Sequence, residues 1–497
     1  MINIGKKCLA ALLAASMVLG VTGCGKQKKA KKPYVQSTAE VKNGTAKAEG
    51  KGKQQSEVPL IIGCGRLDKN FNPFLAQAAS DEQVMNLTQT KLFDTDRAGR
   101  LVEKGIDGEL REYNDENYTY YGIADIKKAR RTKANYTVYR ITIRDDLLFS
   151  DGQPITIDDV IFSLYAFCDN DYDGNVQLKS SNIRGLLNYQ ANNAQAESYT
   201  DKQVKKYIRK KPAALQKWTQ KHSSDESGYE SALERQARYL MAKQAKKKTR
   251  VNSIEGIKRL NDYELRIYTT GYDSRFEEKL QIPICPLHYY GDTTKYSYNA
   301  NKFGFKRGDL SAIRANKSSP VGAGAYRFVK YDSGIAYFMA NELYYQGCPK
   351  ITYVQLKDLT KLFKDEDLTG AKLAEEMKGQ TVDVASLALT QSDLEAIGEI
   401  NGNGKMSGNE INTCQSAYWG LNPYRVCINN EPFSEQSAAL RHAIAMVVSA
   451  CRGVQMETEG AKLTSVNAQA AKDSWLSPEQ PNEDKLCYAE TPDGKEQ

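Results

Sequence analysis

Residues Tyr139 to Val160 read YRITIRDDLLFSDGQPITIDDV. From Tyr136 to Ile143 apolar and polar side chains alternate, the period of a strand with one face buried. Asp151-Gly152 is a turn signal. Thr156 is a favourable N-cap, and Asp158 and Asp159 in the next turn suit the positive end of a helix dipole. Val160 to Phe167 (VIFSLYAF) supplies the apolar body of that helix. A strand running through a tight turn into a capped apolar helix predicts an α/β body.

The flanking sequence extends the pattern in both directions. Upstream, Val58 to Cys64 (VPLIIGC) reads as a buried strand, Asn70 to Pro73 as a turn, and Asp81 to Phe93 has helical spacing. Arg111 to Asn135 is a polar, tyrosine-rich excursion containing Tyr118-Thr119-Tyr120-Tyr121-Gly122. Downstream, Ser253 to Arg259 and Tyr263 to Tyr268 read as strands paired across an Asn-Asp turn. Tyr326 to Val329, Ile335 to Met339 and Ile351 to Leu356 are further strand candidates, and Val382 to Ser386 a short buried one. Lys372 to Lys378 and the strongly apolar Leu440 to Val448 read as helices. Mixed strands and helices without internal repeats keep the α/β class.

At 497 residues the chain has room for two or more lobes. Its formal charge is +8, but the location of that charge matters more than its size. Residues 1–24 contribute Lys6 and Lys7, and residues 25–57 carry nine lysines against Glu40, Glu49 and Glu57. Residues 58–497 are therefore close to neutral, which removes the main support for a nucleic-acid partner.

The N-terminus itself is a secretory signal: Lys6 and Lys7, an apolar run from Ala10 to Val21, then Val21-Thr22-Gly23-Cys24. The run is short for a bilayer span. Residues 25–57 hold few large apolar side chains and read as a flexible Lys-rich tether, whose lysines also suit anionic headgroups.

Asp201 to Arg250 carries fifteen Lys/Arg against five Asp/Glu. Val204, Tyr207, Ile208, Leu215 and Trp218, then Tyr229, Leu233, Ala237 and Leu240, fall at helical spacing around Pro212. Two or three amphipathic helices with thin apolar stripes are expected. They form either a solvated helical insertion or a docking surface for an acidic partner or the membrane.

Chemistry-bearing patterns are scarce. His222, His288 and His442 are the only histidines, and none accompanies a nucleophile motif such as GxSxG. Asp169, Asp171, Asp173 and Gly174 imitate half an EF-hand loop, but position twelve is Ser180 instead of a bidentate Glu. Gly402-Asn403-Gly404-Lys405 fails as a phosphate loop because Glu399 and Met406 occupy required positions. Cys64, Cys168, Cys285, Cys348, Cys414, Cys427, Cys451 and Cys487 show no metal spacing, so buried free thiols are the default. Neither catalysis, a metal nor a cofactor is expected, and a hydrolase stays a distant alternative.

Taken in order, these segments resemble the extracellular solute-binding proteins of ABC importers, in the family that binds oligopeptides, dipeptides and, in some members, nickel. Tyr139 to Val160 is similar to that family's strand, FSDG turn and capped helix. Ser253 to Ile257 with Pro286 to Tyr290 (PLHYY) resembles its next stretch, and Val321 to Tyr326 (VGAGAY) its glycine-rich turn, with Ala325 in place of a proline. Asn341 to Gly347 (NELYYQG), Gly379 to Ala385 (GQTVDVA) and Glu431 to Ile444 (EPFSEQSAALRHAI) complete a likeness reaching from Val58 to roughly Arg452.

The resemblance implies a type II periplasmic-binding-protein-like clamp of two lobes with mixed sheets, acting as a monomer. Cys24 resembles the acylated cysteine of a lipoprotein signal, which places the protein on the extracytoplasmic face of the cell membrane, lipid-anchored. Peptides would be the ligand, with ABC permease and ATPase subunits as partners. A pheromone-like peptide, a nickel complex or another solute stays open. By position, Gln77, Ala78, Ala79 and Ser80 resemble the early cleft segment that contacts peptide backbone, and Tyr120 and Tyr121 offer aromatic contact area.

Family members continue beyond the helix represented here by Leu440 to Val448, with Ser474-Trp475 the last likeness, so a truncated C-terminal lobe is expected. The competing readings are a surface interaction protein that uses the same fold without transport and a non-functional truncated homologue. Labelling cells with radioactive palmitate tests the anchor: label on the protein is expected, and unlabelled protein recovered from the cytosol would overturn it.

Overall fold

The strand and helix read from Tyr136 to Phe167 form the centre of one packed unit. The computed structural model describes residues 58–458 apart from 114, 223–228, 317, 362–369, 386–394, 396–397, 399–420, 424 and 430. In chain order, β1 (Leu60–Cys64) leads to helix α1 (Ala79–Thr88), then β2 (Glu109–Tyr113), β3 (Glu116–Tyr120), β4 (Ala124–Arg131) and β5 (Tyr136–Ile143). Helix α2 (Ile157–Cys168) and the short α3 (Leu186–Ala191) precede α4 (Asp201–Arg209), α5 (Ala213–Thr219) and α6 (Tyr229–Gln244). Next come β6 (Ile257–Asn261), β7 (Glu264–Thr270), β8 (Tyr296–Ser297), β9 (Lys302–Phe303), β10 (Tyr326–Asp332), β11 (Ile335–Ala340) and β12 (Tyr353–Asp358). Helix α7 (Gly370–Lys378), β13 (Val384–Ala385) and helix α8 (Glu435–Thr458) complete the order.

Two sheets carry the architecture. The first is antiparallel, in the order β4-β5-β7-β6, with Tyr136 paired to Thr270 and Thr142 to Glu264 across its middle. Helix α2 lies in its core, and all twelve of its residues are buried. Burial on every side fits the apolar run Val160 to Phe167, because fully burying a large apolar side chain contributes roughly 1.5–3 kcal/mol. Thr156 caps the helix as expected: its hydroxyl accepts from Asp158 N at 3.3 Å, while Asp159 Oδ2 accepts from Thr156 N at 3.0 Å. Phe74, Phe162 and Tyr290 pack edge to face in the same core.

The second sheet is mixed, in the order β10-β11-β12-β1-β13. β1 runs parallel to β12, from Leu60 opposite Val354 to Cys64 opposite Asp358, and parallel to β13. Parallel neighbours need long crossovers, and here most of the chain lies between β1 and β12. Phe71, Val84, Phe338 and Leu356 form its core with α1.

Several expectations are corrected. The helix expected from Asp81 to Phe93 ends at Thr88, because Gln89 is extended and Lys91 pairs with Pro283 as an isolated bridge. The excursion expected over Arg111 to Asn135 is regular structure: the β2–β3 hairpin and all of β4. Tyrosine and threonine favour strands even when polar neighbours keep them half-exposed. The strand expected from Ser253 starts at Ile257, where Gly256 packs against the Tyr268 carbonyl. Helix α8 contains Leu440 to Val448 as expected, but Leu440, Met446 and Val447 are exposed. The residues from 1 to 57, the 402–405 loop and Ser474-Trp475 lie outside the described residues.

Among the described residues, three helices occupy the basic stretch 201–250. Val204, Leu215 and Ala237 bury a small core of their own with Leu233 and Leu240. Half-buried Arg235 ties α6 to the body, donating to Lys179 O at 2.9 Å and Gln190 Oε1 at 2.8 Å. Among the described residues no helix is long and apolar enough to cross a membrane.

The cap of α2 carries a pH dependence. Burial pushes the Asp159 carboxyl from 3.8 up to about 6, against hydrogen bonds from Leu287 N and Thr156 N. The folded state therefore holds this proton more tightly than the unfolded chain does. The resulting stability is full below pH 3.8 and is lost as pH rises through 6. Urea unfolding from pH 4 to pH 7 should show wild type losing about 2 kcal/mol relative to Asp159→Asn. A difference that stays constant with pH would remove the claim.

Candidate functional site

Helix α1 packs on the mixed-sheet core and also walls a cavity. Ser80, Asp81, Val84 and Thr88 are buried, with Val84 in the mixed-sheet core, whereas Glu82, Met85, Asn86 and Gln89 line a cavity of about 550 Å³. These two sets each recur at helical spacing, so a single turn-by-turn pattern builds both a core and a pocket wall. The opposite wall comes from the antiparallel-sheet unit, through Ile123, Ala124, Tyr172 and Val176. Tyr344 and Tyr345 lie on the cavity too, beside Ala325. Its volume is within the range of small-molecule sites.

The lining mixes three kinds of group. Phe74, Phe93 and the tyrosines supply apolar area; Asn86, Gln89 and Asn175 supply neutral amides; Glu82, Asp94 and Lys91 supply both signs of charge. Burial pushes the Tyr172 hydroxyl up to about 12, and burial also raises Tyr344 and Tyr345, so these phenols stay neutral donors and acceptors near pH 7. The Gln89 amide is buried, and its Nε2 donates to Val321 O at 3.3 Å. Its Oε1 has no hydrogen-bond partner among the described residues. A buried acceptor in that state costs about 1–3 kcal/mol.

The turn Val321 to Ala325 reaches this cavity at Ala325 and satisfies its backbone from several segments at once. The five successive carbonyls accept from Gln89 Nε2, Ser150 N (2.9 Å), Thr90 Oγ1 (2.6 Å), Asn341 Nδ2 (2.8 Å) and Asn341 N (2.9 Å). Val321 N donates to the Tyr290 hydroxyl at 3.2 Å. The SDG turn, the PLHYY segment, the glycine turn and Asn341 are thus direct hydrogen-bond partners in space. Gly152, at φ +85°, closes the SDG turn in a conformation that favours glycine.

The residues expected at the site from position fall around the cavity without lining it. Gln77 is exposed and donates to Asp173 O at 3.1 Å. Ala78 is the N-cap of α1, Ala79 is exposed, and Ser80 is buried beside Cys64 at the carboxyl end of β1. That end of a parallel pair is where open α/β sheets receive ligands. Tyr120 accepts from Arg97 Nη1 at 3.4 Å in the hairpin, and Tyr121 is exposed, with its carbonyl accepting from the Tyr345 hydroxyl at 3.4 Å. Their chain neighbours Ala76 and Gly122 do line the cavity. The amphipathic stripe Glu82, Met85, Asn86 and Gln89 was the signal in the sequence that could have found the wall.

The remaining motifs are occupied otherwise. Arg314 pairs with Asp171 and Asp173, each at 2.8 Å, and Asp169 accepts from Gly308 N at 2.9 Å. His288 pairs with Asp151 at 2.7 Å, and His222 stacks on Trp218 with ring centres 4.0 Å apart. Cys64, Cys168 and Cys285 are buried free thiols; burial pushes Cys64 up to about 12.

The sequence model of one protein family, described as bacterial extracellular solute-binding proteins, family 5 Middle, matches residues 123–449. Similar solved structures include the oligopeptide-binding protein AppA from Bacillus subtilis in complex with a nonapeptide, at 14% identity and a TM-score of 0.41. The match covers 69% of this chain and 46% of that one. Lactococcal OppA complexed with an endogenous peptide matches at 14% identity, 69% and 48% coverage and a TM-score of 0.42. NikZ from Campylobacter jejuni in complex with Ni(L-His) matches at 19% identity, 68% and 45% coverage and a TM-score of 0.36. The chain thus spans about half the length of the solved structures it matches. No curated protein matches the sequence.

Gly324 gives the sharpest mechanical test of this region. A Cβ there would overlap the Leu87 carbonyl oxygen and lie 2.8 Å from Gln89 N, both backbone atoms at the end of α1. Gly324→Ala should destabilise the fold by about 1–3 kcal/mol, since overpacking against backbone cannot relax by a rotamer change. Urea unfolding measures it, and a change below about 0.5 kcal/mol would mean that the turn does not hold α1 in place.

Proposed function

The chain belongs to the bacterial extracellular solute-binding proteins, family 5, and shares their mixed α/β, type II periplasmic-binding-protein-like class; from that premise we propose that it captures short peptides outside the membrane and delivers them to an ABC permease. In this reading Cys24 carries the lipid anchor and residues 25–57 hold the folded body off the bilayer. The role is binding and transfer, without a catalytic step.

One observation carries the peptide assignment: the 550 Å³ cavity between the two sheet cores offers amides, aromatic area and both signs of charge together. Main-chain donors and acceptors are common to every peptide, and Asn86, Gln89 and Asn175 are the groups that can meet them. Lys91 suits a carboxylate, and Glu82 and Asp94 suit an ammonium group. Tyrosines receive varied side chains through a flat apolar face and a polar tip. Capture then works through a difference in affinity between open and closed arrangements of the walls.

Isothermal titration of the full chain with mixed short peptides should give saturable heat. Tyr345→Ala and Asn86→Ala should each weaken binding by about tenfold, or 1.4 kcal/mol. Absence of heat with every peptide, or affinity untouched by both substitutions, would count decisively against this cavity as the peptide site.

A further inference from the structure

A second cavity, of about 410 Å³, shares no lining residue with the first. It opens where the basic helical stretch returns to the body, between α3 and the β8–β9 hairpin. Five of its ten lining residues are cations: Arg250, Lys295, Lys302, Lys306 and Arg307. None is acidic. Lys295 is paired with Asp292 at 2.9 Å, but Arg250, Lys302, Lys306 and Arg307 form no ion pair with the described residues. Asp309 lies near Lys306 and Asp169 near Arg307, both outside the lining.

The arginine at its centre is held in place. Arg307 Nη1 donates to the carbonyls of Tyr189 (3.2 Å) and Val251, and its guanidinium sits 4.9 Å from the centre of the Tyr189 ring. Tyr189 is itself fixed edge-on against Tyr165 at 5.4 Å, and Tyr165 stacks on Phe303 at 3.5 Å. Nε and Nη2 of Arg307 make no hydrogen bond with the described residues. A guanidinium immobilised at one corner presents the rest of its fork in a fixed direction, which suits the paired oxygens of a phosphate. Asn252 and Asn301 add neutral donors to the same wall.

The surrounding field points the same way. Lys246, Lys247 and Lys248 are exposed and lead directly into Arg250. Residues 58–497 as a whole are close to neutral, so this crowding of like charge is local and not a uniform property of the surface. Like charges gathered around a concavity repel one another, and an anion seated among them turns that repulsion into attraction.

We infer that this cavity binds a phosphate-bearing anion, gripped by Arg307 and flanked by Arg250, Lys302 and Lys306. The anion is either a soluble phosphate ester or the headgroup of an anionic phospholipid, which present the same oxygens. The site is separate from the peptide cavity and does not depend on it.

Titration of the full chain with adenosine 5′-monophosphate and with glycerophosphoglycerol, the tail-free headgroup of phosphatidylglycerol, tests this directly. Single-site binding is expected for at least one of them. The double substitution Lys302→Glu with Lys306→Glu, both at exposed positions, should weaken it by at least about tenfold. Lys246→Glu with Lys247→Glu should change it by less than about threefold, because those lysines steer without touching the ligand. Tighter binding of the nucleotide identifies a soluble ligand, and tighter binding of the headgroup identifies a lipid. No binding of either compound overturns the site, as does equal weakening by the two double substitutions, which would reveal diffuse attraction to the basic stretch. Unchanged thermal unfolding of the Lys302/Lys306 variant keeps a loss of binding from being a loss of fold.

Discussion

The structure turns on five consecutive carbonyls, those of Val321 to Ala325, each of which accepts a hydrogen bond from a different atom elsewhere in the chain. Donors come from the end of α1, from the SDG turn and from Asn341, and Tyr290 closes the arrangement from the PLHYY segment. Buried backbone groups must be paired, so this turn cannot move without breaking contacts in both sheet units. It joins the antiparallel sheet to the mixed one. Gly322 and Gly324 permit this because the end of α1 presses against them with no room for a Cβ.

Rigidity at that joint contrasts with what lies beside it. The cavity lined by α1, Tyr344 and Tyr345 takes its two walls from two separately packed cores, so a shift of one core against the other changes its shape. Helix α2 is buried on all sides, and the charged groups near its start are held by Arg259, which bridges Asp158 at 2.9 Å and also binds Asp262. Tyr296 gives Asp158 a further hydrogen bond at 2.7 Å. Buried charges of this kind are costly to unpair, which ties the start of α2 to β6 and β8.

The two cavities divide their chemistry cleanly. One mixes both charge signs with amides and tyrosines. The other gathers five cations and no carboxylate around an immobilised arginine.

Local rules made much of this fold legible. Alternation gave β5 from Tyr136 to Ile143, Thr156 marked the start of α2, and Val204, Leu215 and Ala237 marked the helices of the basic stretch. Each of these depends on residues within one or two turns of one another, which is the range over which propensity and capping act. The same range explains the misses. Helix α1 stops at Thr88 because Gln89 and Thr90 are drawn into a turn more than two hundred residues away, and the polar strands β2 to β4 are set by partners across a hairpin and a sheet. Gln77 to Ser80 and Tyr120 and Tyr121 are expected by position alone, and in the structure it is their neighbours Ala76 and Gly122 that line the cavity. The sequence by itself determined β5, the capped helix α2, the α/β class and the family likeness. Only the tertiary structure decided which side chains share a cavity, because that depends on long-range pairing of backbone groups that no local pattern encodes.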